Sequence, residues 1–371
     1  MSRRAIGSFA IGMLLAAGPI QAQGLYQRPV GLLGIEGRGF AFRPGLGITS
    51  LSQWSVPVVA AVPISSRFSA DLSTRWAHTA LKGSSGASET VSGMTDTQLR
   101  ATYTLGRDLL VISGVANLPT GHRVDQNHAA VIGAASGDFL TLPVSQYSSG
   151  TSFTGGVALA RRLGALNVGF GASARVSTSY EPFRGLGLTY DPGIETRVQL
   201  AADALAGSNR IGGGITFSTF GSDNFQTPGG TTTSQAFQSG SRLIAELNYS
   251  GVVGAGILTL FGWDYYRSSG ALAGSPIAGS KQNMMDFGAS WRVPTSRLVS
   301  LSPLMEYKQW SREGTLSGRL VSVRLDLDIS GGGRVSLQPF LRGDWGFVTD
   351  PAGGHVSVQG WGTGLSARLF F

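Results

Sequence analysis

Trp361-Gly-Thr-Gly-Leu365-Ser-Ala367-Arg-Leu369-Phe-Phe371 closes the sequence, and its period sets how the rest is read. In steps of two from the end come Phe371, Leu369, Ala367, Leu365 and, past Thr363, Trp361. The other register holds Phe370, Arg368, Ser366, Gly364 and Gly362. Successive side chains of a strand point to opposite faces, so this is a strand with one apolar face and one small or polar face. The alternation runs through the chain. Val321, Val323, Leu325, Leu327 and Ile329 oppose Ser322, Arg324, Asp326 and Asp328. Met285, Phe287, Ala289, Trp291 and Val293 oppose Asp286, Gly288, Ser290 and Arg292. Leu166 to Ser177, Ile194 to Asp203 and Gln98 to Leu105 repeat the pattern, and helical spacing fits none of them.

The connections alternate in length. Short breaks fall near Pro63–Ser66, Gly106–Asp108, Leu163–Ala165, Ala206–Asn209, Ser250–Gly254, Pro294–Arg297 and Ser330–Gly333. Longer polar ones fall near Leu81–Met94, Thr120–Gly150, Ser179–Pro192, Ser222–Gln235, Ser269–Gln282, Ser311–Leu316 and Thr349–Val356. Short turns at one end and long loops at the other are the rhythm of a membrane barrel, which a Greek-key sandwich has no reason to keep. A terminal aromatic on such a strand resembles the signature of bacterial outer-membrane barrels, which the barrel assembly machinery reads; Phe371 is the expected assembly signal.

At the front, the basic Ser2-Arg3-Arg4, the small and apolar run Ala5 to Ala17 and Ile20-Gln21-Ala22 predict a cleavable signal peptide over residues 1–22. Its apolar run is too short for a membrane helix, and no later stretch has the ~20 apolar residues of one. The chain has no cysteine, 13% charged residues and 55 glycines among 371. With disulfides excluded and charge scarce, the composition suits a barrel whose outer face meets lipid, the one spanning alternative to a helix. The 29 basic and 21 acidic residues leave +8, but the basic ones are scattered singly, so nucleic acid is not an expected partner.

Residues 23–371 are then one all-β domain, a transmembrane antiparallel up-and-down β-barrel of about sixteen strands, with fourteen as the alternative. Residues 23–36 lack alternation and form a candidate N-terminal cap or plug, with the first ascent at Gly39 to Ile48. Pro303 and Pro339 fall inside expected strands, where each removes a ladder donor.

If the apolar register meets lipid, the other lines the lumen. That assigns inward Arg100, Arg175, Arg197, Asp203, Glu246, Asp286, Arg292, Glu306, Arg324, Asp326 and Arg342. Arg67, Arg75, Arg242, Lys308, Arg368, Asp71, Glu195, Asp264, Asp328 and Asp344 follow by the same register. Balanced signs fit either ion pairs bracing the interior or the lining of a watery path that sorts solutes. Trp54, Trp76, Trp263, Tyr265, Trp291, Tyr307, Trp310, Trp345 and Trp361 are expected in interfacial girdles. The longest connection holds Val131-Ile132-Gly133-Ala134-Ala135 and Phe139 to Val144, and apolar content in a loop of that length predicts that it folds into the lumen or over the mouth.

Asp96-Thr-Gln-Leu99-Arg-Ala-Thr-Tyr103, a short turn, and a strand ending Leu118-Pro119-Thr120-Gly121 resemble outer-membrane proteins of the phenol-degradation MetA-pathway type, grouped with FadL/TodX-like barrels. The resemblance implies an outer-membrane transporter that admits hydrophobic compounds. The Asn-Pro-Ala of the FadL hatch does not occur after Gln23. An enzyme is not expected: the histidines are His78, His122, His128 and His355, and no Gly-x-Ser-x-Gly occurs. His122 and His128 with Asp125 read better as exposed loop polars than as a metal site. No catalytic, cofactor or metal residues are assigned. The expected function is passive passage or uptake of small-molecule solutes across a bacterial outer membrane. The alternative is a closed structural or surface-exposed barrel with an ion-paired lumen, acting in adhesion or as a scaffold.

Overall fold

The computed structural model describes residues 28–106, 109–227, 232–331 and 333–371. The expected leader, residues 1–22, lies outside them. Sixteen strands make the wall. They are β1 (Val30–Phe42), β2 (Ile48–Pro63), β3 (Phe68–Gly83), β4 in two runs (Ser88–Met94 and Thr97–Leu105), β5 (Leu110–Leu118), β6 (Ser152–Leu163), β7 (Leu166–Ser177) and β8 (Glu195–Ala206). The second half comprises β9 (Asn209–Phe220), β10 (Arg242–Val253), β11 (Gly256–Arg267), β12 (Gln282–Pro294), β13 (Val299–Arg312), β14 (Thr315–Gly331), β15 (Val335–Thr349) and β16 (His355–Phe370). Each pairs antiparallel with its sequence neighbours, and β1 closes on β16 from Val30↔Phe370 to Phe42↔Val358. Closure leaves no edge unpaired along the ring, which is what lets strands cross lipid. The strand number is sixteen, not fourteen.

The alternation decides which face meets lipid. Val323, Leu325, Phe287, Trp291, Leu341, Leu365 and Leu369 are exposed outward, while their neighbours Ser322, Asp286, Ser290 and Arg368 are buried. A surface of this kind is stable only against hydrocarbon. Trp54 and Trp361 lie together on it, ring centroids 5.7 Å apart. The backbone N–H of Phe371 donates to the carbonyl of Pro29 at 3.0 Å, and its side chain is 73% exposed.

Several expectations need correction. The stretch read as a cap is barrel wall from Val30 onward, because Gly31 to Leu33 pair with both β2 and β16 and Gly34 and Ile35 pair with β16; residues 23–27 lie outside the described set. The first ascent is therefore Val30–Phe42, and 43–47 is a turn. The connections 84–87, 313–314 and 350–354 are short, so only 119–151, 178–194, 221–241 and 268–281 are long. The polar residues around the other three belong to strands that run past the lipid layer: β14 has 17 residues and β16 has 16, against 12 for β7 to β11. At the other end the turns are tight, Gly207 and Gly254 taking the left-handed conformation (φ 63° and 59°) that two-residue hairpins require.

Pro303 and Pro339 sit within β13 and β15, and each interrupts a ladder. The β12–β13 pairing skips from Ser290↔Leu304 to Val293↔Leu301, and β14–β15 from Asp326↔Phe340 to Ile329↔Leu337. A proline has no N–H to give there. Beyond the wall, Thr189–Asp191, Ser222–Gln226, Thr232–Gln238, Ala271–Leu272 and Ser275–Pro276 form a small sheet from the long loops. Its Tyr190 hydroxyl donates to Asp223 at 2.6 Å, and burial followed by that bond pushes the phenol well above its ordinary pKa.

Candidate functional site

The longest connection enters the barrel. A turn at Gln126–His128 leads into the helix Ala129–Ala135 (α1), whose Val131 and Ala135 are buried with Phe139, Leu142, Val144 and Tyr147. These pack on Phe40, Leu51, Leu81, Val91, Leu320 and Val358 of the inner wall. The molecule's apolar core thus lies between this inward loop and one side of the barrel. Driving it is the removal of the loop's own apolar residues from water, at about 25 cal/mol per Å².

Polar contacts fix the loop's place. Gln53 of β2 is fully buried; its Nε2 donates to the Val144 carbonyl at 2.7 Å and its Oε1 accepts from the Val144 N–H at 2.6 Å. The Tyr147 hydroxyl donates to the Val91 carbonyl at 3.0 Å and lies 2.7 Å from Thr79 Oγ1. Arg75 Nη1 donates to Glu36 at 2.6 Å and to the Pro143 carbonyl at 2.9 Å. The tip residue Thr141 has φ 50° and accepts from Arg38 Nη1 at its carbonyl (2.7 Å) and hydroxyl (2.9 Å). Phe139 stacks on Trp310, centroids 5.7 Å apart. The stems are clamped by Asp96, at the break between the two runs of β4. It accepts from the N–H groups of Gly121 (2.9 Å) and Ser149 (2.7 Å) and from Asn117 Nδ2 (3.0 Å).

Below the tip, the register brings several of the expected lumen residues together. Arg342 donates to Glu306 at 2.7 Å and to Asp344 at 2.8 Å; Lys308 lies 3.5 Å from Asp286, and Arg38 reaches Asp344 at 3.4 Å. Nearer the short turns, Arg324 takes Asp326 at 2.6 Å and Arg292 takes Asp328 at 2.8 Å. The remaining residues are spread along the other arc. Asp203 accepts from Arg210 at 3.1 Å, Arg197 donates to Glu195 at 2.9 Å and Arg175 Nε donates to Ser152 at 3.2 Å. Arg100 stands opposite Asp71 on β3. Glu246 sits between Gly214 and Trp263 in register.

The two arcs differ in access to water. Asp286, Lys308, Ser322 and Asp344 are at most 4% exposed. Gln98, Arg197 and Glu246 are exposed although their register points inward. On that arc the inner positions are often Gly, Ala or Ser, as at Gly156, Ala158, Gly169, Ser173, Ala201 and Gly212. Large side chains and the inward loop thus occupy one side, and space remains on the other.

Sequence reading missed some members and misplaced others. Asp264 faces outward, because it pairs with the exposed Met285 and is itself exposed. Trp263, Tyr265 and Trp310 are not girdle residues; they pack against the buried core. The sequence pattern assigns no role to Arg38, Gln53 or Tyr147, and Asp96 figures only as the first residue of the Asp96–Tyr103 motif. Their alternation shows at most a facing direction, and the loop partner is about 90 residues away for Gln53. His122, Asp125 and His128 line a cavity of about 230 Å³ with Ser92 and Arg184. Among the described residues no group of three or more His, Cys, Asp or Glu side chains is arranged to hold a metal ion.

No family model matches the chain, and no curated protein matches it. Among solved structures, a mutant of the TodX monoaromatic hydrocarbon channel aligns with TM-score 0.49 and 10% identity, over 97% of this chain and 94% of its own. OprB of Pseudomonas putida gives 0.49 and 9%, over 92% and 94%. The COG4313 outer membrane channel from Pseudomonas putida F1 gives 0.41 and 9%, over 96% and 100%. Likeness at this level assigns no solute.

Proposed function

We propose that this chain is an outer-membrane channel passing small solutes down their gradients, through the space between the inward loop and the arc β6 to β10. In this reading the signal peptide 1–22 exports it, the barrel assembly machinery recognises Phe371, and the long loops face outside. The observation that carries the proposal is the asymmetry of the lumen: residues 119–151 are docked on one wall, while inward-facing Arg197 and Glu246 on the other remain exposed. The loop sets the bore, and the side chains around it sort by size and charge.

A second reading, the closed structural barrel, draws on the buried ion pairs Arg342–Glu306 and Lys308–Asp286. Planar-bilayer recording of the refolded protein separates the two. Discrete conductance steps that grow when residues 129–144 are deleted support the channel. Conductance unchanged by the deletion removes the loop from the constriction. No current and no swelling of proteoliposomes would favour the closed barrel.

A further inference from the structure

Two pairs of arginines stand directly opposite each other on neighbouring strands of the inner face: Arg324 with Arg342 on β14 and β15, and Arg242 with Arg267 on β10 and β11. Strands lie about 5 Å apart, and like charges so placed destabilise a sheet. The first pair is compensated. Arg324 holds Asp326, and Arg342 holds Glu306 and Asp344. The second is not. Among the described residues neither Arg242 nor Arg267 makes an ion pair, and Arg242 Nε is buried without a hydrogen-bond partner. The Arg242 guanidinium rests 4.5 Å from the centroid of the Phe220 ring, which holds it extended without neutralising it.

The row continues on both sides. Arg197 precedes Ser218, which neighbours Arg242; Arg312 neighbours Gln282, which neighbours Arg267. Among the described residues, only Arg197 of the four arginines has a carboxylate, Glu195. Glu246, on the same face of β10 as Arg242, is four residues further on, roughly 13 Å along the strand. Alternate members of the row stand about 10 Å apart, comparable to a Debye length, so their fields add at the mouth. The row lies at the end that carries the long loops, with Arg197 and Arg242 on the open arc and Arg267 and Arg312 on β11 and β13, whose Trp263, Tyr265 and Trp310 pack toward the inward loop.

We propose that Arg242 and Arg267, flanked by Arg197 and Arg312, form a binding station for small oxyanions, carboxylate or phosphate in type, at the inner rim of the lumen. An oxyanion between two guanidinium forks accepts charge-assisted bonds from both and cancels the repulsion built into the bare pair. The transport consequence, preference for anions, rests on the channel reading; the binding itself does not.

The experiment therefore has two arms. Inorganic phosphate is titrated calorimetrically into the full chain folded in detergent, and into Arg242→Gln/Arg267→Gln and Arg242→Lys/Arg267→Lys, each checked for heat-modifiable mobility. The wild type binds; the double glutamine variant binds roughly tenfold more weakly or worse, as expected for lost charge-assisted bonds, and the lysine variant retains more. No binding by wild type, or equal binding by the glutamine variant, overturns the station. In a bilayer with a KCl gradient, the wild-type reversal potential takes the sign of chloride preference and moves toward zero in the glutamine variant. A cation-preferring wild type overturns the selectivity. Phosphate binding without any conductance overturns the channel reading and leaves the station standing.

Discussion

Replacing Gln53 with Leu keeps a side chain of similar size in the wall but removes the loop's best-buried polar anchor. Both backbone groups of Val144 lose their partner, the carbonyl at 2.7 Å and the N–H at 2.6 Å. Thr79 keeps the Tyr147 hydroxyl, so its loss is small. A buried backbone group left unpaired costs about 1–3 kcal/mol, so the docked loop is weakened by about 2–6 kcal/mol. By the relation of 1.4 kcal/mol to a factor of ten, the undocked population relative to the docked one rises by roughly 30-fold to about 20,000-fold. The barrel does not need the loop to close its ladders, so its heat-modifiable mobility is expected to persist. Limited proteolysis followed by mass spectrometry reads the effect: cuts within 136–146 accelerate, and turns such as 254–255 are cut as before. Adding Tyr147→Phe, which removes the hydroxyl bonded to Thr79 and Val91, is expected to deepen the effect. If the double variant leaves the loop as protected as in wild type, the anchoring argument is wrong.

Asp96→Ala takes away the acceptor for the N–H groups at both loop stems, and hydrogen exchange at Gly121 and Ser149 is expected to quicken while β14 to β16 stay protected. Arg342→Leu takes the close cation from the buried Asp344 and the partly buried Glu306, leaving Asp344 with Ser322 and the longer Arg38 contact; removing one partner from such a cluster costs up to about 3–5 kcal/mol, visible as a lower unfolding temperature, and an unchanged temperature would show that the remaining partners already satisfy these carboxylates. Phe371→Ser should reduce assembly in cells, scored as heat-modifiable protein in the outer-membrane fraction. Normal assembly would remove the terminal aromatic from the signal.

Much of the fold was legible because period-2 alternation is a local property. Val321 to Ile329 show which side chains meet lipid without any knowledge of the partner strand, and the same pattern sends Arg324, Asp326 and Arg368 inward. The alternation fails where the outside is not hydrocarbon. Asp264 sits on the outer face near the end of β11, and Trp263, Tyr265 and Trp310 are large apolar residues facing in because the inward loop gives them something to cover. Connection lengths misled for a related reason: polar residues past the lipid layer are still strand when a neighbour continues the ladder, as Leu81↔Glu89 does.

The chain's own pattern therefore settled the class of structure, an all-β wall with one lipid-facing register, since a strand's faces follow from backbone geometry alone. The contents of that wall needed the closed structure. Gln53 meets Val144, Arg38 meets Thr141 and Arg342 meets Glu306 only because ring closure brings distant segments within bonding distance. The contrast between a compensated arginine pair and a bare one depends on cross-strand register and on which carboxylates lie within reach. Neither quantity is local to a strand, so neither shows in its alternation.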